Sequence, residues 1–285
     1  MRTSVIGLGA IGTGMATSTL RAGIATTVWN RSPEKSEPLR ALGADVAGTA
    51  AEAVADADVV LVCLFDEASV REVLEGALPA SPAPSVWLQT ATVGPDGARR
   101  LHELAARHDR VLVDAPVLGT KKPAADGALT VLASGPEEAL ASARPVLEAI
   151  GSRTLVIGDS VGPASALKLA CNSWVASLTV AAAQALTLAR VQGVDPALFL
   201  EAIEGSAVDT PYAHLKGRAI LADDLTPSFG VDGVLKDLAL MLDAGQDVMD
   251  TSLLASVRDR FAAASAAGHG GDDMAAVVVG FEPPA

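Results

Sequence analysis

The sequence predicts an α/β chain: a doubly wound, mostly parallel sheet in its first part, followed by an all-helical domain. Short Val- and Leu-rich runs, apolar on both faces, alternate with helical patterns as far as Gly158. Strands covered by helices on both sides require such runs. After Gly158 the strand signals stop and only helical periodicity remains. Half of the 285 residues are hydrophobic but only 3% are aromatic, so the core is built from Ala, Val and Leu. The length fits two modest domains, and the change of pattern sets them at residues 1–160 and 161–285.

The expected strands are Thr3–Ile6, Thr26–Trp29, Val59–Leu64, Val86–Leu88, Val111–Val113, Leu129–Ala133 and Leu155–Ile157. Helical patterns lie between them near Ile11–Ala22, Pro33–Leu42, Ala50–Val54, Ser69–Leu78, Pro95–His108 and Pro136–Ile150. Strand–helix–strand alternation argues for a doubly wound sheet. The stretch Pro79–Pro84 breaks the chain between two such units. Gly162-Pro163 opens a long helix, proline being tolerated in the first turn, and Gly193 closes it at Gln192. Its roughly 30 residues span about 45 Å. Further helices are expected at Pro196–Ile203, Tyr212–Leu221, Val231–Gly245, Leu253–Ala267 and Asp272–Val278.

Charge narrows the function classes. With 34 acidic against 21 basic residues, the formal charge is −13. Nucleic-acid binding needs a basic footprint, and an anionic membrane surface attracts basic segments; neither partner is expected. Cys63 and Cys171 each sit in an apolar run, which excludes a disulfide framework and fits a reducing cytoplasm. Met1-Arg2-Thr3 leads directly into a strand, so no signal peptide is expected. The apolar segment Ala164–Ala189 carries Lys168, Asn172 and Gln184 and reads as a core helix, not a membrane span. His102, His108, His214 and His269 show no metal-ligand spacing, and no metal is expected.

Gly7-Leu8-Gly9-Ala10-Ile11-Gly12 has the spacing G-x-G-x-x-G, directly after a strand and at the opening of a helix. That context identifies a dinucleotide-binding turn. Gly7 permits the turn, Gly9 lets backbone approach a pyrophosphate, and Gly12 permits close helix–strand packing. After the second strand, an NAD site carries an acid for the ribose hydroxyls. This chain has Asn30-Arg31-Ser32 instead. Arg31 suits a 2′-phosphate, with Asn30 and Ser32 as hydrogen-bond donors, so NADP(H) is the expected cofactor. Lys168 lies mid-helix among apolar neighbours, and Asn172 is four residues on, on the same face. A lysine there snorkels, pairs or faces a cleft, and beside an amide it suits proton transfer. As bare sequence, Lys236-Asp237 reads as a solvated helix face.

The ordering of these segments resembles the β-hydroxyacid dehydrogenases, the family around 3-hydroxyisobutyrate dehydrogenase. The Gly7–Gly12 loop comes first. Gln89-Thr90-Ala91-Thr92-Val93-Gly94-Pro95 resembles the family's D-x-S-T-x-x-P, and Asp114-Ala115-Pro116-Val117-Leu118-Gly119 resembles D-A-P-V-S-G. Residues 162–172 resemble G-x-G-x-x-x-K-x-x-N-N, and Lys236-Asp237-Leu238 matches K-D-L. The resemblance covers essentially the full chain and implies a Rossmann domain followed by an all-α domain. It implies that Lys168 is the catalytic lysine and that Asn172 orients substrate. Thr92, and the backbone of Leu64 and Phe65, would line the cofactor, and Lys236 would close over nicotinamide and ribose. The run Pro116–Ala124 is nearest to the glyoxylate and succinic semialdehyde reductase branch, which uses NADPH. The family also implies a homodimer or homotetramer, in keeping with a helix too long for its own domain to cover.

Departures from the pattern keep the substrate open. A family serine that helps bind the substrate carboxylate is Leu118 here, leaving the backbone N–H groups of Gly119 and Thr120 for that task. Gln89 replaces an aspartate, Ala91 a serine, Cys171 an asparagine and Ala164 a glycine. The expected activity is NADPH-dependent reduction of a small carbonyl compound, a semialdehyde or keto acid, with Lys168 as general acid. The alternatives are an imine or bulkier ketone reductase, with Leu118 lining an apolar pocket, and a cofactor-binding protein without turnover.

Overall fold

The computed structural model describes residues 1–281. The chain divides into two compact units, Met1–Lys168 and the residues from Leu169 onward.

The first unit is built on a nine-stranded sheet. Its strands are β1 (Arg2–Ile6), β2 (Ala25–Trp29), β3 (Asp45–Val46), β4 (Val59–Val62), β5 (Val86–Gln89), β6 (Val111–Asp114), β7 (Val117–Leu118), β8 (Leu129–Ser134) and β9 (Gly151–Gly158). They run in the order β3-β2-β1-β4-β5-β6-β8-β7, with β9 also paired to β8. The first six strands are mutually parallel. β8 is antiparallel to β6 and β7, and β9 is parallel to β8. The connections are α1 (Ala10–Arg21), α2 (Glu37–Arg40), α3 (Ala50–Val54), α4 (Glu67–Ala77), α5 (Gly94–Ala106), α6 (Lys121–Asp126) and α7 (Glu137–Ile150).

Successive strand residues feed opposite cores. Val5, Leu61, Leu88 and Val113 pack in one cluster with Met15 of α1 and Val146 of α7. Their neighbours Ile6, Val60, Trp87 and Leu112 pack in another with Val54, Leu74 and Leu101 of α3, α4 and α5. Side chains alternate along a strand, so a sheet covered on both faces must be apolar at every position. The chain leaves β1 toward β2 on one side and returns to β4 on the other. The carboxyl ends of β1 and β4 therefore flank a topological switch point, where ligands of such sheets bind.

Several boundaries differ from the sequence reading. β4 ends at Val62, which moves Leu64 into the following turn. Pro33–Leu42 is not one helix but a 3₁₀ turn, Pro33–Lys35, followed by α2. Pro38 lacks an N–H and restarts the helix in its first turn. The two-residue strands β3 and β7 are too short to show a period, and α6 was not expected.

The second unit is helical. α8 (Pro163–Val191) runs into it from the first unit and is followed by α9 (Ala197–Ile203), α10 (Pro211–Leu221), α11 (Val231–Gly245) and α12 (Ser252–Ala264). Its core gathers Leu169, Ala176, Val180, Val234, Leu238, Met241 and Phe261. Among the described residues the only strand-like pairing here is a bridge between Gly230 and Asp273. The helix expected at Asp272–Val278 is instead a 3₁₀ run, Met274–Phe281. The carboxylate of Asp273 anchors its start by accepting from the Ala275 N–H. By length and composition α8 is apolar enough to cross a membrane, and 39% of its most apolar window is buried. Trp174, Leu188 and Val191 on it are exposed.

Candidate active site

The glycine loop at the end of β1 is shaped by steric necessity. Gly7 has φ +94°, and a Cβ there would lie 2.2 Å from the Cys63 carbonyl oxygen. A Cβ on Gly12 would lie 1.9 Å from the Gly7 oxygen. At Gly9 an added Cβ meets no protein atom within 4 Å. Packing thus requires glycine at Gly7 and Gly12 but not at Gly9, whose open face suits the approach of an outside molecule. Gly9 caps α1, so the Ala10 and Ile11 N–H groups open a helix turn in which no intrahelical carbonyl serves them. That is a cradle for a pyrophosphate.

Asn30 takes a task the sequence did not suggest. Its Oδ1 accepts from the Leu8 N–H at 2.9 Å, and its Nδ2 donates to the Ser32 carbonyl at 3.1 Å. The amide clips the glycine loop to the turn after β2, rather than standing open to a phosphate. Arg31 is exposed at that turn, Ser32 is half-buried, and Lys35 is exposed just beyond.

After β4, Leu64 packs beside Gly7, and Phe65 is 58% exposed. Cys63 lies beneath the loop; burial pushes its thiol up to about 11, against hydrogen bonds from Thr90 and the Gly12 N–H, and makes it inert at neutral pH. After β5, buried Gln89 closes a ring with Ala91: Oε1 accepts from the Ala91 N–H at 2.7 Å, and Nε2 donates to the Ala91 carbonyl at 2.8 Å. This ring fixes the turn that presents half-buried Thr92. In the sequence Gln89 is marked only as a polar amide that ends an apolar strand run.

β6 ends in Asp114, and β7 follows at once. Val117 enters the core, whereas Leu118 is half-buried and belongs to no core cluster. Adjacent strand residues face opposite ways, so Leu118 turns away from the core. Gly119, at φ +134°, and Thr120, which precedes α6, are both exposed. The Lys168 ammonium donates to the Val117 carbonyl at 2.8 Å. The first unit thus places the expected lysine against the backbone of the expected substrate segment.

In the second unit, buried Asn172 donates from Nδ2 to Asp237 Oδ2 at 2.5 Å. A carboxylate only accepts, so the amide nitrogen must face it and Asn172 Oδ1 is left as an acceptor. Lys236 Nζ lies 2.7 Å from Asp237 Oδ1 as an ion pair, without the alignment of a hydrogen bond. Asp237 is 2% exposed, which corrects its reading as a solvated helix face. Among the described residues no group of three or more His, Cys, Asp or Glu is placed to hold a metal ion.

Comparison with known proteins matches this arrangement over almost the whole chain. Residues 2–158 match the NAD binding domain of 6-phosphogluconate dehydrogenase. Residues 162–280 match the domain described as NAD-binding of NADP-dependent 3-hydroxyisobutyrate dehydrogenase. The chain belongs to the 3-hydroxyisobutyrate dehydrogenase family of β-hydroxyacid dehydrogenases. Within it, an L-threonate dehydrogenase of Cupriavidus necator is 36% identical over 279 residues, covering 96% of this chain and 94% of the relative. A chloroplastic glyoxylate/succinic semialdehyde reductase of Arabidopsis thaliana is 28% identical, covering 96% of this chain and 77% of the relative. The crystal structure of a 3-hydroxyisobutyrate dehydrogenase from Salmonella typhimurium superposes with a TM-score of 0.91 at 29% identity, over 98% of this chain and 99% of that one. This family member is therefore an oxidoreductase of hydroxyl and carbonyl groups with a nicotinamide cofactor.

Proposed function

We propose that the protein is an NADPH-dependent reductase of a small carbonyl compound, a semialdehyde or keto acid, operating reversibly on the corresponding hydroxy compound. The observation that carries this reading is the Lys168 ammonium, 2.8 Å from the Val117 carbonyl and one residue from Leu118. When bound, NADPH supplies the hydride. Lys168 gives its proton to the carbonyl oxygen as charge develops there, a general-acid step worth roughly 10²–10⁴ in rate. Asn172, one turn further along α8, offers its amide oxygen to a substrate hydroxyl, with its nitrogen held by Asp237. Gly9, Ala10 and Ile11 receive the pyrophosphate. Arg31, helped by Ser32, would meet the 2′-phosphate, Thr92 would contact the nicotinamide side, Leu64 and Phe65 would line the cofactor through their backbone, and the family resemblance gives Lys236 to nicotinamide and ribose. The exposed apolar face of α8 is covered by a second copy in a homodimer or homotetramer; a 28.8 kDa species alone in sedimentation at micromolar concentration would contradict this.

The apolar, outward-turned Leu118 supports a second reading, in which the substrate carries an uncharged or bulkier group there. Both readings meet in one screen: oxidation of NADPH and of NADH with glyoxylate, succinic semialdehyde, neutral aldehydes and cyclic imines. The wild-type protein is expected to prefer NADPH, with Arg31→Ala losing about 1.5–3 kcal/mol of NADPH affinity. Leu118→Ser is expected to raise kcat/KM for the acids by roughly tenfold. Equal use of the two cofactors, or no oxidation with any carbonyl, would overturn the proposal.

A further inference from the structure

We propose that Asp114 is the positioning residue for Lys168, an inference that rests on the reading of Lys168 as proton donor. Asp114 ends β6 and has no exposed surface. Its Oδ2 accepts from the N–H groups of Ser165 at 2.8 Å and Gly162 at 3.2 Å, and its Oδ1 accepts from the Ser165 hydroxyl at 2.7 Å. Ser134, at the end of β8, accepts from the Ala164 N–H at 3.1 Å. The first turn of α8 is therefore not capped by its own preceding residue, as helices usually are. It is held by side chains from two strands, the principal one 51 residues upstream.

The same aspartate begins the segment that receives the lysine. Three residues after Asp114, Val117 offers its carbonyl to Lys168; three residues after Ser165 stands Lys168 itself. Donor and acceptor of the lysine contact are thus both referenced to one carboxylate. The segment between cannot drift: Ala115 N–H donates to the Gln89 carbonyl at 2.8 Å, and Leu132 N–H donates to the Pro116 carbonyl at 2.9 Å. A carboxylate is suited to this because both oxygens accept, and because the start of a helix favours an anion. Burial pushes the Asp114 carboxyl up, and only hydrogen bonds from Ser165, Gly162 and Ser134 oppose that. A costly buried acid that faces N–H and O–H donors, and no cation among the described residues, fits a residue kept for geometry.

The test is Asp114→Asn, which keeps the shape but halves the acceptors and removes the charge. Misplacement of a reacting group by an ångström costs up to about a hundredfold. The expected result is a fall in kcat of about tenfold or more, with KM and the NADPH dissociation constant held within about twofold. A folded Asp114→Asn enzyme with wild-type kcat overturns the inference. Should that variant fail to fold, Ser165→Ala decides: it removes one hydrogen bond only, and is expected to lower kcat by about threefold or more with NADPH binding intact; an unchanged kcat overturns the inference. In a Lys168→Ala background, Asp114→Asn is expected to lower the residual rate no further, because its effect passes through the lysine. A full additional loss there overturns that route. Lys168→Ala at wild-type rate removes the reading beneath the inference, whereas collapse of Lys168→Ala with an unaffected Asp114→Asn removes the inference alone.

Discussion

Two buried aspartates hold the two units in opposite ways. Asp114, in the first unit, faces N–H and O–H donors. Asp273, in the second, is 3% exposed and faces the ammonium of Lys216, itself 5% exposed, at 2.6 Å. It also accepts from the Ser228 hydroxyl at 2.6 Å and the N–H groups of Ser228 at 2.9 Å and Ala275 at 3.0 Å. Burial acts on both carboxyls in the same direction, upward. At Asp114 burial wins and the carboxyl stays above its ordinary range. At Asp273 the Lys216 and Ser228 hydrogen bonds together outweigh burial and bring it below. Hydrogen bonds make a buried acid tolerable; a cation makes it stabilising. The acid without one stands where α8 and its lysine begin, and the acid with one ties the loop before α11 to the start of the Met274–Phe281 run.

The largest expected effect on stability comes from breaking the second arrangement. Asp273→Asn strands a buried ammonium, and removing one partner of such a pair costs about 3–5 kcal/mol. Asp114→Asn strands no charge and keeps one acceptor, so its cost is about 1 kcal/mol. Urea unfolding of the two variants reads this contrast, and equal losses would break it.

A smaller and sharper effect lies in the pH dependence. The Asp273 carboxyl is lowered on folding, so its contribution is present above the ordinary carboxylate range and lost as pH falls through the folded value. The Asp114 carboxyl is raised, so its contribution is present below that range and lost as pH rises through the folded value. The stability gap between wild type and Asp273→Asn is therefore expected to widen with rising pH, and the gap to Asp114→Asn to narrow. Gaps that move in the same direction would contradict the assignment of cations.

Much of this was legible in the sequence because it is local. The Gly7–Gly12 turn, the doubly apolar strands and the change to helices after Gly158 are each contained in a short window. The short elements were not: β7 has two residues, and α6 contains Pro123 within Lys121–Asp126. The tasks of Asn30, Gln89 and Asp114 were also hidden. Gln89 closes a small ring whose shape depends on the turn, Asn30 meets Leu8 only because β1 and β2 end side by side, and Asp114 meets Ser165 only because β6 ends beside the start of α8. Spacing along the chain carries no trace of such pairs. Lys168 and Asn172 stand out as a pair in the sequence because they share one helix; the partner of Asn172, Asp237, lies 65 residues away, and its burial leaves no mark in the local pattern.

In the proposed NADPH-dependent carbonyl reduction, Lys168 is the group that delivers the proton. The most direct measurement follows NADPH absorbance with the best carbonyl substrate, for wild type and Lys168→Ala, alongside NADPH binding to each. The expected result is a fall in kcat of roughly 10²–10⁴ in the variant while NADPH binds as before. A Lys168→Ala enzyme that oxidises NADPH at close to the wild-type kcat would contradict it.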